Sequence, residues 1–418
     1  MLSKLLQDKM GIPERVIAVA NKAESDVSAI FDGFEEVAAQ NTAKVLFAMQ
    51  ERGLSEEHLT RVTGYGYNDT GRDILEDIYA KVFGCEAALV RPQLISGTHA
   101  LSVALGGNLR FGDELLSPAG TPYDTLLGVI GSRKTKNSLV DNGVTYNEIN
   151  LIDDSFDYKK IGDAITKKTK IALIQRSRGY ALRKSFSVRE ITELIAFIKS
   201  IKHDIICLVD NCYGEFTEQT EPGETGADIV VGSLIKNPGG TLAETGGYIA
   251  GRKEFVDNAA DRLTAPGLNG EIGPGLGFVS NMLKGFFHAP DVVCSCLKTA
   301  VFAARVFEIL GFPVLPEHTA PRSDIVQSII FGCPDLMRRF CEGIQAASPV
   351  NSFVRPIPGA MPGYIHEIIM ASGGFTQGAS IELSADGPMR EPYAAHLQGA
   401  INYYHGKIGV IVGASRVV

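Results

Sequence analysis

Lys236 stands between the apolar segment 227–234 and the turn Asn237-Pro238-Gly239-Gly240. A lysine flanked by apolar residues and glycines is poorly hydrated. Desolvation disfavours its ammonium form and favours a nucleophilic amine that can form a Schiff base. Taken alone, the same pattern also fits a surface lysine in a loop. Asp210 ends the apolar run Ile205-Ile206-Cys207-Leu208-Val209. A carboxylate at the end of a buried strand is costly unless something pairs with it. A protonated pyridine nitrogen is one suitable partner, and pyridoxal 5'-phosphate is a cofactor that becomes an electron sink when so paired. Ser96-Gly97-Thr98-His99 opens the helical run Ala100-Leu101-Ser102-Val103-Ala104-Leu105. Small residues at a helix start let backbone N–H groups and the helix dipole approach a phosphate, although Ser-Gly-Thr is also an ordinary helix cap. Ser233, three residues before Lys236, adds a hydroxyl that can donate to the same group. No Walker signature and no complete G-x-G-x-x-G is present, so nucleotide-binding readings lose support.

These residues need elements to position them. Short apolar runs at 87–90, 114–117, 171–175, 205–210, 229–231 and 247–250 are separated by helix-length segments. That alternation predicts a mostly parallel sheet covered on both faces, with ligands at the C-terminal strand ends. Residues 1 to 60 show helical periodicity in Val27, Ile30, Phe31, Phe34 and Val37, and the turn formers of 64–71 then break it. The Gly- and Pro-rich stretch 264–277 reads as a boundary or an active-site loop. Beyond it, a helix over 291–310, strands at 324–331 and 381–384, and a helix over 335–347 predict a smaller α+β domain. The expected organisation is a helical arm (1–60), a large α/β domain (61–275) and a small C-terminal α+β domain (276–418).

Length and composition agree with that plan. A chain of 418 residues exceeds one ordinary core, and 45% apolar with 21% charged residues is a globular mixture. The formal net charge of −8 argues against nucleic-acid and membrane partners. The segment Met1-Leu2-Ser3-Lys4-Leu5-Leu6-Gln7-Asp8 lacks the apolar core of a signal peptide. Seven cysteines, mostly in apolar runs, read as reduced core thiols of a cytoplasmic protein, and no spacing suggests a metal site.

The order Tyr65/Tyr67, Ser96-Gly97-Thr98, Tyr123, Asp210 and Ser233-x-x-Lys236 resembles that of fold-type-I pyridoxal-phosphate enzymes. The interval of 26 residues from Asp210 to Lys236 is similar to that of the cystathionine and methionine lyases. Val209-Asp210-Asn211-Cys212-Tyr213-Gly214-Glu215-Phe216 and Gly232-Ser233-Leu234-Ile235-Lys236-Asn237-Pro238-Gly239-Gly240 resemble one bacterial branch more closely. That branch is the aluminium resistance protein, or methionine gamma-lyase, family, and the resemblance covers nearly the whole chain.

The resemblance implies a fold-type-I architecture with a seven-stranded, mostly parallel sheet. It implies that Lys236 carries pyridoxal 5'-phosphate and moves the substrate α-proton, that Asp210 pairs with the ring nitrogen, and that Tyr123 stacks on the ring. Ser96, Gly97, Thr98 and Ser233 would cradle the phosphate. Tyr65 and Tyr67, with Arg72, would reach a neighbouring subunit's site in a homo-oligomer, a dimer or a tetramer. Two features depart from the lyases. The lyase Tyr-x-Arg spacing is absent, and Glu382 lies in Ser380-Ile381-Glu382-Leu383-Ser384-Ala385, where the lyases place a carboxylate-binding arginine nearby. Arg178 and Arg390 are therefore the candidates for the substrate carboxylate. The implied activity is β- or γ-elimination from a small sulfur-containing amino acid, releasing ammonia, a 2-oxo acid and a thiol. An aminotransferase, or a non-catalytic pyridoxal-phosphate-binding stress protein, would use the same lysine and aspartate.

Overall fold

The computed structural model describes residues 2–418. Seven strands form the large sheet: β1 (Ala87–Arg91), β2 (Glu114–Ser117), β3 (Thr145–Glu148), β4 (Thr169–Gln175), β5 (Ile206–Asp210), β6 (Ile229–Ser233) and β7 (Gly247–Gly251), in the order β1-β7-β6-β5-β4-β2-β3. Only β7 runs against its neighbours. Successive side chains of a strand point to opposite faces, so the apolar runs supply two cores at once. On β5, Cys207 and Val209 join one core while Ile206 and Leu208 join the other. A strand buried on both faces has no place for polar alternation, which is why these runs read as continuous apolar segments.

The helices are α1 (Leu2–Met10), α2 (Glu14–Glu51), α3 (Thr70–Val82), α4 (Gly97–Asn108), α5 (Asp124–Ile130), α6 (Tyr158–Ala164), α7 (Val188–Ile201), α8 (Lys253–Leu263), α9 (Val279–Ile309), α10 (Pro334–Ala346) and α11 (Tyr403–Ser415). Residues of α2, α3, α7 and α9 cover the face carrying Val209, and those of α4 and α8 cover the face carrying Leu208. Helix α7 shows the local logic. Ser187 and Glu190 form a reciprocal capping box, and Val188, Ile191, Leu194, Ile195 and Ile198 make one buried stripe.

The second sheet is antiparallel throughout. It comprises β8 (Val314–Leu315), β9 (Gln327–Ile330), β10 (Ile368–Ser372), β11 (Ser384–Pro388) and β12 (Ala394–Gln398), in the order β10-β11-β12-β9-β8. Its core takes side chains from α10, α11 and the end of α9, and also Val16, Ile17, Ala20 and Ala23 from the start of α2. The N-terminal helices thus serve both cores.

Three boundaries differ from the sequence expectation. Helix α9 begins at Val279 rather than near 291 and runs through Pro290. A proline usually limits a helix, but Met282, Leu283 and Phe286 bury an apolar stripe ahead of it, and that packing prevails. The expected strand at 324–331 shortens to Gln327–Ile330, because Asp324 turns its carboxylate to Ser177 and to the N–H of Val326. The expected strand at 381–384 begins only at Ser384, since Glu382 is used to cap a loop. Among the described residues, no helix is long and apolar enough to cross a membrane.

Candidate active site

The C-terminal ends of β5 and β6 and the N-terminus of α4 meet at one cavity of about 230 Å³. Lys236, Asp210, Tyr123, Ser96, Gly97, Thr98 and Ser233 all line it. Seven of the twelve residues singled out from the sequence are therefore brought together, from segments more than a hundred residues apart.

Asp210 is the last residue of β5, paired in register with Gln175 and Val231. Its Oδ1 accepts the Cys212 N–H at 3.2 Å. Burial raises its carboxyl above the ordinary aspartate value, and Lys236 and the Cys212 N–H counter this only in part.

Lys236 follows β6 by three residues and is held by the turn behind it. A Cβ on Gly239 would lie 1.6 Å from the Leu234 carbonyl oxygen, and one on Gly240 would lie 2.1 Å from that of Gly285. The glycines let this turn press against α9, where any larger residue would lift the lysine. The Lys236 Nζ sits 4.1 Å from the centroid of the Tyr213 ring. Burial works against its ammonium form, yet Cys212, Tyr213 and Asp210 facing it prevail and raise its pKa above the ordinary lysine value. Burial alone, which is what the sequence shows, predicts a lowered pKa. The facing acids are contributed by the strand β5 exit and reverse the sign.

At the start of α4, the Ser96 hydroxyl accepts the His99 N–H at 3.1 Å. A Cβ on Gly97 would meet Cys212 Sγ and Ser233 Cβ at 3.3 Å each. Glycine is what brings this helix end against the β5 and β6 exits. Thr98 and Thr125 share a hydrogen bond of 2.7 Å beside it. The result is a dipole-positive helix end with hydroxyls around it, closed against the strand carrying the aspartate.

Tyr123 caps α5. Its backbone N–H donates to Gln175 Oε1 at 2.6 Å, and its hydroxyl pairs with that of Tyr364 at 2.7 Å. Burial pushes its phenol well above the ordinary tyrosine value, so it is a neutral hydroxyl in the cavity wall.

Tyr65, Tyr67, Arg72, Arg178 and Arg390 lie elsewhere. Tyr65 and Tyr67 are 74% and 60% exposed, with their rings 5.8 Å apart, and they do not line the cavity. Arg72 is buried beneath their loop and donates to the carbonyls of Gly66 and Gly273. Arg178 is 1% exposed, and its Nε lies 3.4 Å from Asp324 Oδ2, tying the β4 exit to the segment that leads into β9. Arg390 donates to the Tyr180 carbonyl at 3.3 Å and lines shallow depressions outside the main cavity. Neither arginine lines the main cavity.

The second sheet supplies a wall that sequence reasoning did not find. Asp386 of β11 accepts from the Tyr180 hydroxyl and from Gln398 Nε2, both on Oδ2 and both at 2.9 Å. Burial pushes its carboxyl up to about 6, with Tyr180 and Gln398 holding it lower than burial alone would. Ser380 accepts the Tyr213 hydroxyl at 2.9 Å, and the Ser384 hydroxyl, also at the cavity, has no partner. Nothing local marks these positions, because they reach the cavity only through the packing of one sheet on the other. Cys212 and Tyr213 carried a usable signal, since they directly follow the aspartate. Glu382 accepts the N–H groups of Phe375 and Thr376, so it staples a loop and leaves the cavity without a charge at that point.

Among the described residues, no group of three or more His, Cys, Asp or Glu side chains is placed to hold a metal ion.

The methionine gamma-lyase family model matches residues 16–418. A structure from Clostridium acetobutylicum, named as a candidate cystathionine beta-lyase involved in aluminium resistance, is 45% identical with a TM-score of 0.97. It covers 100% of this chain and 99% of its own. A carbon-sulfur lyase involved in aluminium resistance from Clostridium novyi NT is 44% identical, covers 99% of each chain and has a TM-score of 0.96. The pyridoxal-5'-phosphate-dependent protein YhfS of Escherichia coli is 17% identical over 90% of this chain and 95% of its own. Its TM-score of 0.60 shows a shared fold.

Proposed function

Because the chain belongs to the methionine gamma-lyase family, we propose that it is a pyridoxal-phosphate-dependent carbon-sulfur lyase that eliminates a thiol from a sulfur-containing amino acid. The observation that carries the proposal is the convergence of Lys236, Asp210 and the α4 N-terminus on one cavity. The residues fit the cofactor. The buried carboxylate of Asp210 suits a ring-nitrogen cation, and the space that a Gly97 side chain would fill is the cradle a phosphate needs.

Pyridoxal 5'-phosphate, when bound, supplies a ring that accepts the electron pair released at the substrate α-carbon. The α4 N–H groups, Ser96, Thr98 and Ser233 would bind its phosphate. Asp210 would hold a proton on its ring nitrogen. Lys236 would carry it and then, once freed by the substrate amine, take the α-proton on Nζ. The facing acids and the Tyr213 ring keep that Nζ in place. The Tyr123–Tyr364 pair adds neutral hydroxyls to the cavity wall without adding charge. The products would be a thiol, ammonia and a 2-oxo acid.

We further infer a homo-oligomer with a site shared between subunits. The exposed Tyr65 and Tyr67 rings, set on a loop anchored by the buried Arg72, have no role within their own subunit's cavity.

The test is a screen of the purified holoenzyme on cysteine, cystathionine, methionine and homocysteine for oxo-acid and thiol release. Equal release of both from at least one of them supports the lyase. Consumption of an added oxo acid without thiol release overturns it.

A further inference from the structure

Glu215 is a fully buried carboxyl that the mechanism above leaves without a task. It lies on the segment that leaves Asp210, which bends through two left-handed residues, Tyr213 at φ 70° and Phe216 at φ 62°. That bend carries it beneath β6, where a Cβ on Gly232 would lie 2.5 Å from its Oε1. Oε1 accepts the Tyr248 hydroxyl at 2.8 Å, while Oε2 is buried without a partner. The guanidinium of Arg176, packed against Gly214, is spent on Glu218 and Glu221 and pairs with neither oxygen. Asn237, the residue after Lys236, is equally buried. Its Nδ2 donates to the Glu215 carbonyl at 2.9 Å, which fixes the orientation of the amide and leaves Oδ1 as a second buried oxygen without a partner.

Two buried acceptors on two residues already tied together lack a donor. An ionised Glu215 would be a buried anion with one side-chain hydrogen bond and no cation, and would leave Asn237 Oδ1 unmet. The neutral acid is itself a donor. We propose that Glu215 is carried as the neutral acid, donates its proton to the Asn237 amide oxygen, and so positions Lys236 by holding its turn to the segment that leaves Asp210. Glu215 touches no reacting atom; it acts through Asn237. Burial agrees in direction, since it pushes the Glu215 carboxyl up to about 8. The inference rests on Lys236 as the cofactor-bearing residue of the lyase reading and on nothing about the substrate.

The experiment compares the wild-type holoenzyme with Glu215→Gln, whose amide keeps one donor and one acceptor. Thermal midpoints are followed from about pH 5 to about pH 8, between the ordinary carboxyl value and the raised one. A carboxyl whose folded value is raised stabilises the fold below its ordinary range, and that contribution is lost as pH rises through the folded value. The wild-type midpoint should therefore fall relative to that of the glutamine variant across this window. The groups facing Glu215 are common to both proteins. Tyr248 of β7, Tyr79 of α3 and Cys212 are held well above their ordinary values, Lys236 stays a cation, and Glu221, raised by burial, keeps its pairing with Arg176. Infrared difference spectra at neutral pH should show the C=O stretch of a protonated carboxyl in the wild type alone. Glu215→Asp keeps the acid but withdraws it by one methylene. It should hold the cofactor about tenfold more weakly, the size of one lost hydrogen bond, whereas Glu215→Gln should hold it within about twofold of the wild type. A wild-type midpoint that rises relative to the variant, a missing carboxyl band, or a glutamine variant that does not fold overturns the neutral acid. Equal cofactor affinity in all three proteins overturns the positioning role. If the band and the pH trend are present but borohydride fixes the cofactor to another lysine, the neutral Glu215 stands and the reading of Lys236 falls.

Discussion

The Nζ of Lys236 lies 4.1 Å above the ring of Tyr213, a non-glycine residue held at a backbone φ of 70°. A left-handed conformation at a tyrosine is uncommon and strained. The Tyr213 hydroxyl donates to Ser380, in the loop between β10 and β11, which anchors the ring. Tyr213→Phe keeps the ring and loses only the anchor, so kcat/KM should fall by about twofold to fivefold. Tyr213→Ala removes the cation–ring contact as well and should cost about tenfold or more. The oxo-acid assay reads both, and a phenylalanine variant worse than the alanine variant would contradict the account.

Asp210→Asn keeps the size of the side chain and removes its charge. Turnover should drop by at least ~100-fold, or roughly 2.7 kcal/mol of transition-state stabilisation. Cofactor affinity should change little, since the α4 contacts remain. Asp210→Glu should restore part of the turnover. Near-normal kcat in the asparagine variant would make Asp210 a strand-end residue with a structural role only.

Gly97→Ala places a methyl group 3.3 Å from Cys212 Sγ and Ser233 Cβ, where it narrows the space at the α4 N-terminus. The variant should fold and should hold the cofactor about tenfold more weakly, equivalent to roughly 1–2 kcal/mol. Equilibrium dialysis against free cofactor measures this. Unchanged retention would place the phosphate elsewhere.

If Tyr65 and Tyr67 complete a neighbouring subunit's site, the active species sediments as a dimer or larger. Replacing both with alanine should then lower activity without unfolding the chain. A fully active monomer in sedimentation velocity would contradict this.

What the sequence revealed about the site has a physical boundary. Lys236, Asp210, Ser233 and the Ser96–Thr98 turn each lie at the end of a buried apolar run, so the local pattern marks them. The parallel sheet was legible for the same reason, because β5 and β6 carry apolar residues on both faces. Strands β10 and β12 were not legible, since β10 is read through as part of a loop-rich stretch and β12 includes His396 and Gln398. Asp386 escaped with them. Its place at the cavity depends on β11 pairing between those strands, and its neighbours in sequence say nothing about its neighbours in space. Arg178 misled for a related reason. Its position after β4 is the right one for a ligand-binding residue, but Asp324, just ahead of β9, pairs with it instead.

The central claim is that Lys236 is the residue to which the cofactor is bound. Borohydride reduction of the holoenzyme, followed by digestion and peptide mass spectrometry, tests it directly. The account predicts a stable pyridoxyl adduct on the peptide containing Lys236, and none on a Lys236→Ala variant that still folds. An adduct on any other lysine of the wild-type protein, or one that persists in the variant, would contradict it.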